Sequence, residues 1–119
     1  MIKVLVCGSR IFNDWEYLSQ KLDEILDSRF PHDEIIIISG SAKGADTLAL
    51  YYANQNGDGI EAYPADWETY GNKAGILRNV QMLEQGNPDL VVAFPRGKAK
   101  GTRHMIKIAK EAGVEVIEV

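Results

Sequence analysis

The sequence predicts an α/β fold, a three-layer Rossmann-like sandwich in which a parallel sheet of about five strands lies between helices. Short runs rich in valine and isoleucine alternate with segments whose apolar residues recur every three or four positions. These are the patterns of buried strands and core-facing helices. The short links between the segments indicate right-handed crossovers between parallel strands. The 119 residues allow one domain, over 1–119, and we expect the strand order 3-2-1-4-5.

The first half of the chain contains the first three predicted strands and the first two predicted helices. Asn13 or Asp14 offers a cap for the first helix, and Asn13 has capping-box spacing to Glu16. Pro31 ends that helical region, and the Asn56-Gly57 turn stops the second helix. The predicted elements are a strand over 2–7, a helix face from Trp15 to Leu26, a strand over 34–38, a helix face from Ala45 to Ala53 and a strand over 60–63.

The second half begins with an irregular stretch over 64–75 and continues with two helices and two strands. The stretch has no clear period, yet its aromatic residues Trp67 and Tyr70 favour an ordered loop. Gly113 marks the end of the last helix. The predicted elements are a helix up to Gly86 with Ile76, Val80 and Leu83 on its apolar face, a strand over 89–94, a helix lined by Met105, Ile106, Ala109 and Ala112, and a strand over 114–119.

Composition indicates the general class of protein. Hydrophobic residues make up 45% of the chain and charged residues 25%, proportions typical of soluble globular proteins. No apolar run approaches the length that spans a membrane, and the first residues lack the features of a secretory signal. The single cysteine, Cys7, is predicted to be a small buried hydrophobic residue. These observations predict a cytoplasmic protein with no membrane partner.

Charge is unevenly distributed along the chain. The formal net charge of −4 argues against a general nucleic-acid binder. One segment nevertheless concentrates basic residues, namely Arg96, Lys98, Lys100, Arg103, Lys107 and Lys110. Lys107 and Lys110 are predicted to form a solvated helix face. The other four crowd a glycine-rich turn, where their potential would serve a small polyanion better than a nucleic acid.

Three glycine-rich turns follow predicted strands. They are Gly8-Ser9-Arg10, Ser39-Gly40-Ser41-Ala42-Lys43-Gly44-Ala45-Asp46 and Pro95-Arg96-Gly97-Lys98-Ala99-Lys100-Gly101-Thr102. The first amides of a helix have no partner within the helix, so a turn that leads into a helix can bind phosphate. In an open parallel sheet all three turns lie at the carboxyl ends of strands. Together they predict a binding site for a phosphorylated small molecule.

Individual side chains in the first two turns have candidate roles. Arg10 can hold a phosphate through two parallel hydrogen bonds, or it is an ordinary surface arginine. Gly40 and Gly44 let the backbone approach a ligand, and Ser39 and Ser41 can donate hydrogen bonds to it. The second turn is not a Walker A loop, because the pattern Gly-x-x-x-x-Gly-Lys-[Ser/Thr] does not occur.

Two charged residues and two aromatic residues have competing interpretations. Asp46 lies in the first turn of a predicted helix, where the helix dipole favours an acid, or it hydrogen-bonds to a ribose or a base. Arg78 sits beside the apolar face of its predicted helix, and an arginine that reaches inward must find an anion. We expect Trp67 and Tyr70 either to pack against a ligand base or to enter a subunit contact.

Taken together, these segments resemble the SLOG superfamily, which unites the Smf/DprA and Lonely-guy proteins, and within it the YspA/YpsA-related branch. Besides the first two turns, the matching segments are Pro64-Ala65-Asp66-Trp67, Ala74-Gly75-x-x-Arg78-Asn79 with Met82, and Asp89 to Pro95 followed by Gly101-Thr102. The resemblance covers almost the whole chain, in order. It implies a Rossmann-like domain that binds a nucleotide or a nucleotide-derived ligand, such as an ADP-ribose derivative.

The resemblance also implies particular site residues. It places phosphate on the glycine turns and Thr102, and it places Arg78 and Asn79 near the ligand. The candidate binding residues are drawn from the three turns and the later matching segments: Gly8, Ser9, Arg10, Ser39, Gly40, Ser41, Ala42, Lys43, Gly44, Asp46, Asp66, Trp67, Arg78, Asn79, Pro95, Gly97, Lys100, Gly101 and Thr102. Because related SLOG families often form dimers, the resemblance further implies a homodimer with the site near its interface.

The resemblance is incomplete at the catalytic glutamate of the Lonely-guy enzymes, which release the base from a nucleoside monophosphate. Their motif is Pro-Gly-Gly-x-Gly-Thr followed shortly by glutamate, whereas here the turn is longer and His104 and Met105 stand where the glutamate would fall. Asp46, Asp66 and Glu68 are the candidate catalytic carboxylates, because each can substitute near an oxocarbenium ion. His104 is either an exposed helix residue or a group that contacts phosphate or acts as an acid.

Three functions are compatible with these residues. The first is binding of a nucleotide or nucleotide derivative, as a sensor or processing domain. The second is hydrolysis of an N-glycosidic or related bond in such a ligand, and the third is DNA binding, which the net charge disfavours. Two histidines and one cysteine, well separated, predict no transition-metal site. Mg²⁺ carried by a ligand pyrophosphate remains compatible with the sequence.

Overall fold

The protein contains one five-stranded parallel sheet, and its computed structural model describes residues 1–119. The strands are β1 (Ile2–Gly8), β2 (Ile35–Ser39), β3 (Gly59–Ala62), β4 (Leu90–Phe94) and β5 (Val116–Glu118). Their order across the sheet is β3-β2-β1-β4-β5, and every neighbouring pair is parallel. The predicted fold class and strand order are confirmed, and each predicted strand boundary lies within two residues of the observed one.

Helices cover both faces of the sheet. They are α1 (Trp15–Arg29), α2 (Ala45–Asn56), α3 (Trp67–Tyr70), α4 (Ala74–Gly86) and α5 (Lys100–Glu111), with a 3₁₀ turn over Gly71–Lys73. Alternate residues of β4 point to opposite faces. Leu90, Val92 and Phe94 pack with α1 and α2, whereas Val91 and Ala93 pack with α4 and α5. The sheet therefore has a separate apolar core on each side. No helix is both long and apolar enough to cross a membrane.

The carboxyl ends of β1 and β4 form the point at which the strand order reverses. β1 pairs with β2 on one side and with β4 on the other, with Gly8 opposite Phe94. The crossover after β1 runs towards β2 and the crossover after β4 runs towards β5. The chain therefore leaves these two neighbouring strands in opposite directions, which opens a crevice between the turns that follow them.

Two local predictions are refined by the structure. Asp14, rather than Asn13, caps α1, because its Oδ1 accepts a hydrogen bond from the Tyr17 N–H at 3.0 Å. The stretch over 64–75 is ordered but not irregular throughout, since it contains α3 and the 3₁₀ turn. Asp66 is the N-cap residue of α3, and its side chain accepts a hydrogen bond from the Thr69 N–H at 3.1 Å. A helix of four residues is too short to show a hydrophobic period in the sequence.

The apolar face predicted for α4 is confirmed only in part, since Leu83 packs against the core on that side of the sheet. Ile76 remains 54% exposed and its neighbour Leu77 44% exposed. The buried residues of α4 are Ala74, Asn79, Met82 and Gly86. Small residues bring the helix close to the sheet: a Cβ added at Gly86 would lie 3.0 Å from Ile38 Cδ1. Hydrophobicity alone therefore does not define the buried side of this helix, because small residues and one buried amide share it with Met82.

The first two glycine-rich turns pack tightly against each other. Gly44 is the N-cap residue of α2 and has φ of +81°. A Cβ at Gly44 would lie 2.2 Å from the Ser9 carbonyl oxygen. That carbonyl accepts the Ala45 N–H at 3.2 Å, so the turn after β1 caps the start of α2.

Gly44→Ala is expected to destabilise the protein by about 4 kcal/mol, because it combines an unfavourable positive φ with a backbone clash. Gly57→Ala is the matched control. Gly57 also has a positive φ, of +70°, but a Cβ there would meet nothing within 4 Å. Its cost should be roughly 1 kcal/mol. Urea unfolding measures both values, and equal losses for the two variants would show that the contact with Ser9 is unimportant.

Candidate functional site

A cavity of about 510 Å³ opens at the carboxyl ends of β1 and β4. Its walls come from the turn after β1, the start of α2, α3, α4 and the first turn of α5. The polar and charged lining residues are Ser9, Arg10, Asp46, Asn72, Arg78, Asn79, Lys100, Thr102 and His104. This volume lies in the range of small-molecule sites, and the position is where open α/β sheets bind ligands.

Most of the predicted site residues surround this cavity or an adjoining depression. Those that line the cavity are Gly8, Ser9, Arg10, Ala42, Asp46, Trp67, Arg78, Asn79, Lys100, Gly101 and Thr102. The adjoining depression shares Arg10, Ala42, Trp67 and Arg78 with the cavity and adds Gly40, Ser41 and Lys43. Five predicted binding residues line neither space, namely Ser39, Gly44, Asp66, Pro95 and Gly97.

The N-terminus of α5 presents free backbone amides to the cavity. The Lys100, Gly101 and Thr102 N–H groups donate to no acceptor within the protein, and the hydrogen-bond ladder begins only at the Arg103 N–H, which donates to the Ala99 carbonyl at 2.9 Å. Ala99 itself has left-handed backbone angles and supplies no side-chain cap. The Thr102 hydroxyl, at the edge of the cavity, also has no partner in the chain. This arrangement can hold an anion.

The start of α2 is different, although its sequence predicts a similar phosphate turn. The Ser9 carbonyl already accepts the Ala45 N–H. The Ser39 hydroxyl accepts the Ser41 N–H at 3.2 Å and donates to the Asp46 carbonyl at 2.9 Å. Ser39 is therefore used to hold the second turn in place and is not a donor towards the cavity.

Arg78 extends from α4 across the second turn. Its Nη1 donates to the Gly40 carbonyl at 2.5 Å, and its Nε donates to Asn79 Oδ1 at 3.1 Å. A Cβ at Gly40 would lie 2.6 Å from Arg78 Nη1, so a larger residue there would displace the guanidinium. Burial lowers the pKa of Arg78, and nearby Asp46 opposes that effect without forming a direct ion pair. The inward-reaching arginine thus lies at the cavity with hydrogen-bonding capacity still free.

Asp46 is the one carboxylate in the cavity lining. It is 5% exposed, and its Oδ2 accepts the Ala42 N–H at 3.3 Å. Burial raises the pKa of Asp46 to about 6, against the opposing influence of Arg78, the Ala42 N–H and Arg10. Its side chain is therefore able to exchange a proton near neutral pH.

The other two candidate carboxylates are placed elsewhere. Asp66 caps α3 and lines a separate depression with Tyr70 and Leu77. Glu68 is exposed on α3 and belongs to none of these three spaces. Of the three carboxylates named from the sequence, the structure brings only Asp46 to the cavity.

Arg10 and Trp67 form one wall of the cavity. The Arg10 guanidinium lies 5.4 Å from the centroid of the Trp67 ring, within cation–π distance. Trp67 is partly exposed, and its Cη2 atom would lie 3.4 Å from a Cβ added at Gly75. The Trp67 ring thus stands beside the cavity.

Two arginines predicted to crowd the third turn, Arg96 and Arg103, hydrogen-bond to the protein backbone. Arg96 lies over the Phe12 ring at 5.0 Å and donates to the Val119 carbonyl at 2.9 Å. Arg103 donates from Nε to the Lys98 carbonyl at 3.0 Å and thereby braces the turn. Of the basic residues in this segment, Lys100 is the one that lines the cavity.

Several lining residues were not predicted as site residues. Asn72, Gly75 and Ile76 come from the stretch that lacks a period, and Cys7 comes from the end of β1. The position of Cys7 could have been predicted from the alternation of side chains along β1, which puts Cys7 on the same face of the sheet as Leu5, towards α4 and α5. Burial raises the pKa of the Cys7 thiol, so the group is an inert part of the wall.

Asn79 joins α4 to the start of α5. Its Nδ2 lies 3.0 Å from the Gly101 carbonyl oxygen and 3.1 Å from His104 Nδ1. Burial lowers the pKa of His104, and Lys107 lowers it further, while Glu111 raises it. No group of three or more His, Cys, Asp or Glu side chains is arranged to hold a metal ion.

This cavity and the sheet around it define a class of protein, a Rossmann-like α/β domain with its cavity at the reversal point of the strand order. The chain belongs to the YspA, cpYpsA-related SLOG family, whose model matches residues 2–70. It is 39% identical to the Gene 61 protein of Mycobacterium phage D29 over 126 residues, which cover 98% of this chain and 95% of that protein.

A solved structure with the same fold is that of DNA processing protein A (DprA) from Streptococcus pneumoniae. The TM-score is 0.67 at 21% sequence identity, and the match covers 99% of this chain. This chain spans about half the length of the DprA chain, because 50% of that chain is covered. The likeness shows the fold, and together with the family match it confirms the resemblance drawn from the sequence motifs.

The raised pKa of Asp46 predicts a pH-dependent stability. The pKa of Asp46 is about 6 in the folded protein, against an ordinary value of 3.8. Between pH 3.8 and about pH 6 the folded state binds this proton and the unfolded state does not. The free energy of unfolding therefore falls as the pH rises through that range. The buried charge then costs about 3 kcal/mol near pH 7.5. Asp46→Asn should recover up to that amount at about pH 7.5 and little at about pH 4.

Urea unfolding at several pH values measures this difference. Asp33→Asn is the control, since Asp33 is exposed in the loop before β2, and it should show no comparable trend. A wild-type protein that is more stable than Asp46→Asn near pH 7.5 would mean that the negative charge of Asp46 stabilises the fold, contrary to this expectation.

Proposed function

We propose that the protein binds a nucleotide or a nucleotide-derived ligand, as a sensor or processing domain, with a phosphate group at the N-terminus of α5. The observation that carries this proposal is the set of free amides at Lys100, Gly101 and Thr102 beside the cavity. An unpartnered helix N-terminus next to a cavity favours a phosphate, because the amides donate to it and the helix dipole favours its charge.

Other cavity groups suit the remaining parts of such a ligand. Arg10, Arg78 and Lys100 supply positive charge around the phosphate position. The Asp46 carboxylate can accept a hydrogen bond from a ribose hydroxyl, and the Trp67 ring offers a flat apolar surface to a base. The volume of about 510 Å³ suits a mononucleotide or an ADP-ribose derivative. A Mg²⁺ ion would enter only with a ligand pyrophosphate.

Hydrolysis of an N-glycosidic or related bond in the ligand is the second candidate function. The observation that favours it is Asp46, a buried carboxyl in the cavity whose pKa is raised to about 6. Such a group can stabilise an oxocarbenium ion or move a proton. Incubation with AMP, followed by chromatography for free adenine, tests this function, and Asp46→Asn should abolish any base release.

Nucleic-acid binding is the least supported of the three functions. The name of DprA refers to DNA processing, but the likeness to it concerns the fold of a chain twice as long. The net charge of −4 disfavours a continuous basic face on this chain. Two of its basic side chains near the third turn, Arg96 and Arg103, are engaged with the protein itself.

We also propose a homodimer with the contact beside the cavity. Trp67 and Tyr70 on α3 and Ile76 and Leu77 on α4 are exposed large hydrophobic residues. Trp67 and Ile76 line the cavity, while Tyr70 and Leu77 line the separate depression that contains Asp66. A surface of this kind suits a second copy of the chain, as the family resemblance implies.

Nucleotide binding predicts a loss of affinity when Arg78 is removed. Isothermal calorimetry with AMP and with ADP-ribose, each with and without MgCl₂, should show binding to the wild type. Arg78→Ala should weaken binding by about 1.5–3 kcal/mol, the range for a hydrogen bond to a charged group. Arg29→Ala is the control, because Arg29 pairs with Glu115 instead. Unchanged affinity with lowered stability would make Arg78 a structural residue.

The dimer proposal predicts a molar mass near twice 13.2 kDa by light scattering at micromolar concentration. Leu77→Arg should convert the dimer to a monomer, since it puts a charge into an apolar contact. Gln20→Arg adds the same charge on exposed α1, in the opposite helix layer, and should leave the dimer intact. A monomeric wild-type protein at this concentration would refute the proposal.

A further inference from the structure

The side-chain amide of Asn79 has only one chemically permitted orientation. Asn79 is 4% exposed, and hydrogen-bond partners hold both ends of its amide. Arg78 Nε can only donate, so the atom that faces it at 3.1 Å must be the amide oxygen. The Gly101 carbonyl can only accept, so the atom that faces it at 3.0 Å must be the amide nitrogen. The orientation follows from the partners.

This orientation determines the state of the His104 ring. The Asn79 amide nitrogen lies 3.1 Å from His104 Nδ1 and has no lone pair to offer. Nδ1 must therefore accept the hydrogen bond, which leaves the ring proton on Nε2. A doubly protonated ring would place two N–H groups against each other. Burial and the Lys107 charge on α5 also disfavour that cation, and Glu111 opposes them.

The opposite edge of the His104 ring is free. Nε2 makes no hydrogen bond within the protein, and His104 lines the cavity together with Gly101 and Thr102. We infer that His104 is a ligand-binding residue that donates from Nε2–H to a phosphate oxygen, and that Asn79 is the positioning residue that selects this tautomer. The inference rests on the proposed nucleotide binding for its ligand.

Asn79 therefore ties three parts of the site together. The same amide that orients His104 also accepts from Arg78 and donates to the carbonyl of Gly101, whose own N–H is free. The phosphate position then has a neutral donor from His104 in addition to the α5 amides and the cationic side chains. A neutral donor adds a directional hydrogen bond to the phosphate position without adding positive charge.

The tautomer is measured first, without any ligand. Long-range ¹H–¹⁵N spectra of labelled protein should show a lone pair on His104 Nδ1 and a proton on Nε2, with a pKa below the ordinary 6.5. Asn79→Asp replaces the donor by an acceptor and should move the proton to Nδ1. His32, which is exposed in a loop, is the internal control and should not change. A proton on wild-type Nδ1 would overturn the inference.

Calorimetry with AMP tests the donation itself. In His104→Gln the amide N–H stands near the place of Nε2–H, so affinity should stay within about threefold of the wild type. His104→Asn places its amide near Nδ1, and it should bind about tenfold more weakly, the effect of one lost hydrogen bond. Circular dichroism melting checks that both variants are folded.

The outcomes separate this inference from the proposed function. Equal affinities for His104→Gln and His104→Asn would refute donation from Nε2. Tight AMP binding by a wild-type protein whose His104 proton is on Nδ1 would refute the inference and leave nucleotide binding intact. No binding of AMP or ADP-ribose by the wild type would refute the proposed function, and the role of His104 as a phosphate donor with it.

Discussion

The close contact between the turn after β1 and the start of α2 determines how the rest of the site is arranged. Gly44 approaches the Ser9 carbonyl so closely that no Cβ fits between them, and that carbonyl caps the Ala45 N–H. The first amide of α2 is thereby occupied. At the N-terminus of α5, three consecutive amides beside the cavity have no acceptor within the protein.

The half-buried Arg78 and the buried Asn79 complete the cavity on its other side. Arg78 bridges the second turn and α4, and Asn79 bridges α4 and α5. Because a buried polar group without a partner is costly, each of these side chains limits where its neighbours can lie. These contacts join three elements of the cavity wall to one another. Asp46 lies within this wall, where burial keeps its proton affinity high.

The strands were predictable because their signal is local. Apolar runs such as the one ending at Phe94 are buried on both faces of the sheet, so their composition alone marks them. The glycine turns were predictable for the same reason. The buried face of α4 was less predictable, because Met82 shares it with Ala74, Asn79 and Gly86, which a hydrophobic period does not distinguish. The position of the Arg96 side chain could not be predicted either, since its contact with the Phe12 ring joins distant parts of the chain.

The sequence by itself determined the fold class, the strand order, the family and the three turns from which a site would be built. Alternating periods and short links leave few ways to wind a parallel sheet, so these properties follow from local patterns. The tertiary structure alone decided that the amides of α5 stay free and that Asp46, rather than Asp66 or Glu68, reaches the cavity. The reason is physical. Whether a hydrogen bond forms or a charge is buried changes with shifts of a few tenths of an ångström between segments that are far apart in the chain.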